Sequence, residues 1–138
     1  MPLKYIRTVL FSFILFVISL SSALAQAKNW KEKDYADAIQ ELIGGEREYA
    51  VQSGRVDLLT EERAFEVEWA NKWKNAIGQS LWYGLQTNRK PGIILILRSR
   101  KDYKYYIQLN SALNYAKLQD EIVVYIYPDD FKEKREKY

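Results

Sequence analysis

Asp57, Glu66 and Glu68 are the residues of this 138-residue chain whose types and spacing could do chemistry. Side chains two apart on a strand share a face, so Glu66 and Glu68 point one way while Phe65, Val67 and Trp69 point the other. Asp57 lies on the preceding strand, at the separation a short antiparallel hairpin needs to set it beside Glu66. Three carboxylates at one sheet rim repel one another, and a divalent cation between them would remove that cost. Mg2+ favours carboxylate and water oxygens of this kind. The plainer alternative is three acids on a solvated strand face. The chain has no Cys and no His. That excludes thiolate and imidazole metal sites, cysteine nucleophiles and Ser-His-Asp catalysis.

The segment after Glu68 adds to the set. Lys72, Ala76, Gln79 and Tyr83 step by four, three and four along a helix and so form one stripe. A helix starting so soon after Glu68 begins near the same rim and can project Lys72 and Gln79 toward the carboxylates. Trp73, Ile77, Leu81 and Leu85 form a second, apolar stripe, expected to face the core. Taken singly, Lys72 reads equally as a surface lysine, and Gln79 with Tyr83 as packing against the sheet.

The elements that must hold these residues follow from periodicity. Tyr35, Ala38, Ile39, Leu42 and Ile43 recur at helical spacing until Gly44-Gly45 stop the helix. Glu46 to Gln52, Arg55 to Leu59 and Ala64 to Trp69 predict three strands joined by tight turns, an antiparallel meander. A helix is expected from about Lys72 to Gln86 with Asn71 as its cap. Ile93 to Leu97 is a continuous apolar run, expected of a strand covered on both faces. A helix from about Tyr103 to Leu118 and a strand from Ile122 to Tyr127 complete the chain. The order α-β-β-β-α-β-α-β predicts an α/β fold, a mixed sheet with helices on both faces.

Gly54-Arg-Val-Asp57, Glu66-Val-Glu68 and Gln79-Ser-Leu-Trp-Tyr83, in that order, resemble the PD-(D/E)xK nuclease superfamily, most closely its RecB-like branch with a Q-x-x-x-Y helix. The resemblance runs from Asp34 to about Leu97. It implies a restriction-endonuclease-like αβββαβ core with a further α-β extension. It implies Asp57 and Glu66 as metal ligands, the Val67 carbonyl as a third, Glu41 as an additional acid on the first helix, and Gln79 with Tyr83 as the pair that positions substrate. Position 68 departs from the pattern, with Glu where the family carries Lys. Lys72 would then take over the missing lysine's role, or Glu68 would shift the site toward two metals.

The implied activity is a Mg2+- or Mn2+-dependent phosphodiesterase acting on nucleic acid, DNA or RNA. The alternative is a catalytically inactive module of the same fold that binds nucleic acid or a protein partner. Arg98, Arg100 and Lys101, just after the Ile93–Leu97 strand, could touch phosphates. Ahead of the domain, Lys4 and Arg7 precede an apolar run from Thr8 to Leu20 and the small-x-small triplet Ala23-Leu24-Ala25. This is the pattern of a secretory signal peptide, residues 1–25, and predicts export to a periplasmic or extracellular space. Removing it takes the formal charge from +3 to +1, so polyanion affinity would need a local patch. Residues 26–128 are expected to form one domain without a membrane segment, and 129–138 a frayed charged tail.

Overall fold

The computed structural model describes residues 29–135. The expected signal peptide lies outside the described residues. The chain divides into a short N-terminal unit ending at Lys31 and a unit from Glu32 onward, which is the subject of all that follows. Among the described residues no helix is long and apolar enough to cross a membrane.

Helix α1 (Glu32–Ile43) is followed by strands β1 (Glu46–Val51), β2 (Gly54–Leu59) and β3 (Arg63–Trp69). Helix α2 (Trp73–Thr87) leads to β4 (Lys90–Ile96), α3 (Tyr103–Tyr115) and β5 (Val123–Tyr127), and a single-turn helix α4 (Lys132–Arg135) closes the described chain. The five strands lie side by side in chain order. The meander β1-β2-β3 is antiparallel, whereas β3, β4 and β5 run parallel. Parallel neighbours need long crossovers, and α2 and α3 supply them. The element order expected from spacing is the order observed.

The sheet is covered on both faces. One core joins Ala36 and Ile39 of α1 to Leu58, Phe65, Val67, Ile94, Ile96, Tyr127 and Phe131. The other joins Ala76 of α2 and Leu109 and Leu113 of α3 to Ile93, Leu95, Ile122 and Ile126. Ile93 through Ile96 are fully buried, as a continuous apolar strand between two helical layers requires.

Two details differ from expectation. The inward face of α2 is Ala76, Ser80, Tyr83 and Gly84, while Leu81 and Leu85 of the expected core stripe are 38% and 72% exposed. Small residues at i, i+4 and i+8 let the helix lie close to the sheet. A Cβ on Gly84 would stand 3.0 Å from the Arg89 carbonyl oxygen. The start of α2 has no side-chain cap. Asn71 falls in a 3-10 turn (Ala70–Lys72), and Lys72 is the N-cap residue.

The second difference lies at Asp129–Arg135, where the described chain continues in helical turns. Asp129–Phe131 form a 3-10 turn, Phe131 is 3% exposed, and Asp130 Oδ2 accepts the Ile126 N–H at 2.7 Å. Replacing Phe131 with Ala is expected to cost about 3–5 kcal/mol of unfolding free energy. Leu85→Ala should cost less than about 0.5 kcal/mol. Urea denaturation of the two variants checks both values.

Candidate functional site

The carboxylates meet where β2 and β3 part. These strands keep paired register over Leu58–Leu59 against Ala64–Phe65. One step further Asp57 Oδ2, rather than a main-chain carbonyl, accepts the Val67 N–H at 2.8 Å. Asp57 is also hydrogen-bonded through its side chain to Glu66. Glu66 is 3% exposed, and its Oε2 is buried without a hydrogen-bond partner. Glu68 Oε1 accepts the Trp69 N–H at 2.8 Å and lies 3.4 Å from Lys72 Nζ. Glu32, the first residue of α1, reaches Glu68 through a side-chain hydrogen bond.

A hydrogen bond between two carboxyl groups needs a proton, and the electrostatics supply it. Burial, then the neighbouring Asp57 charge, push Glu66 up to about 10. Burial, then the contact with Glu68, raise Glu32 to about 7, with Lys72 opposing. Burial also raises Asp57, against the Val67 N–H, Glu66 and Arg47, which favour its charged form. Arg47 donates through Nη1 to the Asp57 carbonyl oxygen and pairs through Nε with Asp37 at 2.9 Å. At neutral pH the cluster therefore carries much less negative charge than its residue types suggest.

Helix α2 forms one wall. Gln79 Nε2 lies 3.4 Å from the Tyr83 hydroxyl, and Tyr83 packs with Val56 and Ala64. A Cβ on Gly54 would stand 3.2 Å from the Tyr83 ring, so glycine at this strand start leaves room for it. Burial raises the Tyr83 phenol, and the charges of Glu66 and Asp57 raise it further, with Gln79 opposing. The structure thus brings Asp57, Glu66, Glu68 and Lys72 together, with Gln79 and Tyr83 on the adjoining wall. Val67 enters through its N–H. Glu41 is exposed and sits nine residues beyond Glu32, about 13 Å along the helix axis. The α1 acid at the cluster is Glu32, which the spacing argument missed because it opens the helix just ahead of the first apolar position. Among the described residues no group of three or more His, Cys, Asp or Glu side chains is disposed to hold a metal ion.

The carboxyl edge of the parallel strands carries the opposite charge. Trp69 pairs with Ile96, and Ile96 with Tyr127, so the segments following β3, β4 and β5 leave the sheet together. They present Lys72 and Lys74, then Arg98, Arg100, Lys101 and Lys104, then Lys132. The Arg98 guanidinium lies 4.1 Å over the Trp69 ring, Lys104 Nζ 4.9 Å over Tyr105, and Lys74 Nζ 5.8 Å over Trp73. None of Lys74, Arg98, Arg100, Lys101 and Lys104 forms an ion pair among the described residues.

Fold and site together define a mixed-sheet α/β domain with a buried, partly protonated carboxylate cluster beside a cationic, aromatic edge. No family model matches the chain, and no solved structure does. Two curated relatives come from Acanthamoeba polyphaga mimivirus. The putative KilA-N domain-containing protein L32 is 39% identical over 77 residues, 55% of this chain and 21% of its own length. The putative KilA-N domain-containing protein L33 is 36% identical over 67 residues, 49% of this chain and 27% of its own. The chain thus spans about a fifth to a quarter of the length of these relatives.

Both names carry the KilA-N domain and neither carries a nuclease. That finding corrects the resemblance to the PD-(D/E)xK superfamily, and with it the expectation of a metal-dependent phosphodiesterase. The departure at position 68 agrees with the correction. The ammonium of Lys72, expected to replace the family lysine, is turned to Glu68 and partly neutralised there.

The raised carboxyls make stability fall with pH. The folded chain keeps the Glu66 proton up to about pH 10, whereas the ordinary Glu value is 4.5. Between those values the native state binds more protons than the unfolded state. Its contribution to stability is therefore complete below pH 4.5 and is lost as pH rises toward 10. Glu66→Gln keeps the shape without the titration. From pH 5 to pH 8.5, in EDTA, the melting temperature of the native chain should drop by at least about 5 °C more than that of Glu66→Gln. Thermal melts followed by circular dichroism provide the comparison.

Proposed function

We propose that this domain binds nucleic acid without cleaving it, through the cationic edge at the carboxyl ends of β3, β4 and β5. The observation that carries the reading is the set of unpaired cations there, three of them lying over aromatic rings. Phosphate contacts dominate nucleic-acid affinity, and a near-neutral chain needs just such a local concentration of charge to make them. The neighbouring acids reduce it without cancelling it: Glu66 holds a proton, Glu68 and Asp129 are paired with Lys72 and Lys132, and Asp102 and Asp130 accept the Arg98 and Ile126 N–H groups. A cavity of about 830 Å³ opens at the other end of the strands. Its rim carries exposed Glu46, Glu61 and Glu62, while its two arginines, Arg63 and Arg89, donate to the Pro91 and Glu61 carbonyl oxygens, which makes it a poorer place for phosphate. The names of the mimiviral relatives, which carry a KilA-N domain and no nuclease, support the non-cleaving reading.

Fluorescence anisotropy with labelled DNA and RNA oligonucleotides tests the proposal. The triple variant Arg98→Ala, Arg100→Ala, Lys101→Ala is expected to lose at least about tenfold in affinity at low salt, from the loss of up to three phosphate contacts. The oligonucleotides are expected to remain intact on gels after prolonged incubation with Mg2+ or Mn2+. Unchanged affinity in the triple variant would defeat the assignment of the edge, and metal-dependent cutting would defeat the non-cleaving reading.

A second reading concerns the acids alone and involves no hydrolysis. Asp57 and Glu66 supply hard oxygen donors, and Glu66 Oε2 is buried without a partner. A Mg2+ or Mn2+ held by these two groups would displace the Glu66 proton and take its place between them. Millimolar Mn2+ should then raise the melting temperature of the native chain and not that of Asp57→Asn, because a ligand shifts the midpoint only by binding the native state. Equal shifts in both proteins would refute it.

A further inference from the structure

We propose that the cationic edge selects single-stranded over duplex nucleic acid by seating one unstacked nucleotide in the hollow formed by Arg100, Tyr103, Asp129 and Lys132, an inference that rests on the nucleic-acid reading above. The hollow measures about 530 Å³ and opens at the carboxyl edge, between the start of α3 and the turn after β5. Its aromatic member, Tyr103, is 39% exposed although it is large and apolar. Tyr103 is held from two sides. Its ring meets Tyr106 edge-on at 5.9 Å, and its hydroxyl donates to Asp129 Oδ2 at 3.3 Å. A ring fixed in position with an accessible face is a stacking platform that costs little entropy to use.

The charges around the ring suit a nucleotide. Asp129 would repel a phosphate if it were free, but Lys132 Nζ lies 2.5 Å from its Oδ1, and Tyr103 occupies Oδ2. Arg100 has no ion-pair partner among the described residues and is exposed. Arg100 is therefore available to a phosphate oxygen while a base lies on Tyr103. The arrangement discriminates by strand state. Duplex bases are stacked on each other and offer no free face, so a duplex meets only the charges. A single strand meets the charges and the ring together. The other cation-aromatic pairs, Arg98 on Trp69 and Lys104 on Tyr105, continue the same pattern on either side of Arg100 in the chain.

Anisotropy titrations at low salt with a labelled single strand and the duplex of the same sequence test this, using the whole chain. The native protein should bind the single strand at least about tenfold more tightly, and Tyr103→Leu should lose roughly fivefold to 150-fold on the single strand. Duplex affinity should not change in Tyr103→Leu. Tyr103→Phe, which keeps the ring and gives up the hydroxyl contact with Asp129, should retain single-strand affinity. A thermal melt of Tyr103→Leu matching the native chain excludes misfolding as the cause. Arg100→Ala, a change at an exposed position, should weaken both ligands. Tyr103→Leu weakening both ligands equally, or neither, overturns the stacked-nucleotide proposal while leaving binding at the edge intact. Failure of the native chain to bind either ligand overturns the proposal together with the reading beneath it.

Discussion

Everything in the described unit that bears on function depends on the parallel, in-register pairing of β3, β4 and β5. Parallel neighbours cannot be joined by a tight turn, so each strand is followed by a crossover that starts at the same edge of the sheet. The segment after Trp69, the segment after Ile96 and the turn after Tyr127 therefore come together, and they carry Lys72, Lys74, Arg98, Arg100, Lys101, Lys104 and Lys132. No single one of these segments is strongly basic. The charge becomes a patch only because the sheet stacks their starting points side by side, in a chain whose formal charge is just +3.

The antiparallel meander on the other flank imposes a different constraint. As β2 peels away from β3, the Asp57 carboxylate replaces a main-chain acceptor on the Val67 N–H. That substitution fixes the half-buried Asp57 against the buried Glu66. Buried carboxyls of this kind lower their charge rather than bear it. Glu66 does so by holding its proton, Glu68 by pairing with Lys72, and Glu32 by a value near neutrality. An uncompensated acid group beside the cations would oppose a polyanion; a largely neutralised one does not.

Much of this was legible in the residues. The α-β-β-β-α-β-α-β order, the fully buried run at Ile93–Ile96 and the meeting of Asp57 with Glu66 all follow from spacing, because strand alternation and helical period are local properties. What failed has one physical cause in each case. The inward face of α2 was assigned to Trp73, Ile77, Leu81 and Leu85 on the assumption that large apolar residues point inward; Trp73 and Ile77 do pack against the core, and Leu81 and Leu85 do not. A helix packed close to a sheet instead buries its small residues, here Ala76, Ser80 and Gly84. Phe131 was missed because charged residues surround it in sequence, and only tertiary packing shows that it enters the core. Glu41 was taken from the resemblance, and Glu32 was passed over because periodicity says which face a residue occupies and nothing of which end of the helix meets the neighbouring strand. The three short motifs suggested a nuclease, and the names of the relatives point elsewhere. Acidic residues on a β-hairpin and a Q-x-x-x-Y helix fix geometry without fixing chemistry.

The most direct test of the central claim, that this edge holds phosphates by charge, is the salt dependence of binding to a single-stranded oligonucleotide. Each phosphate neutralised on a single strand contributes a slope of about −0.7 to the logarithm of affinity against the logarithm of salt concentration. Four or five cations acting together predict a slope of about −3. A slope near zero, with affinity unchanged between low and physiological salt, would contradict the account.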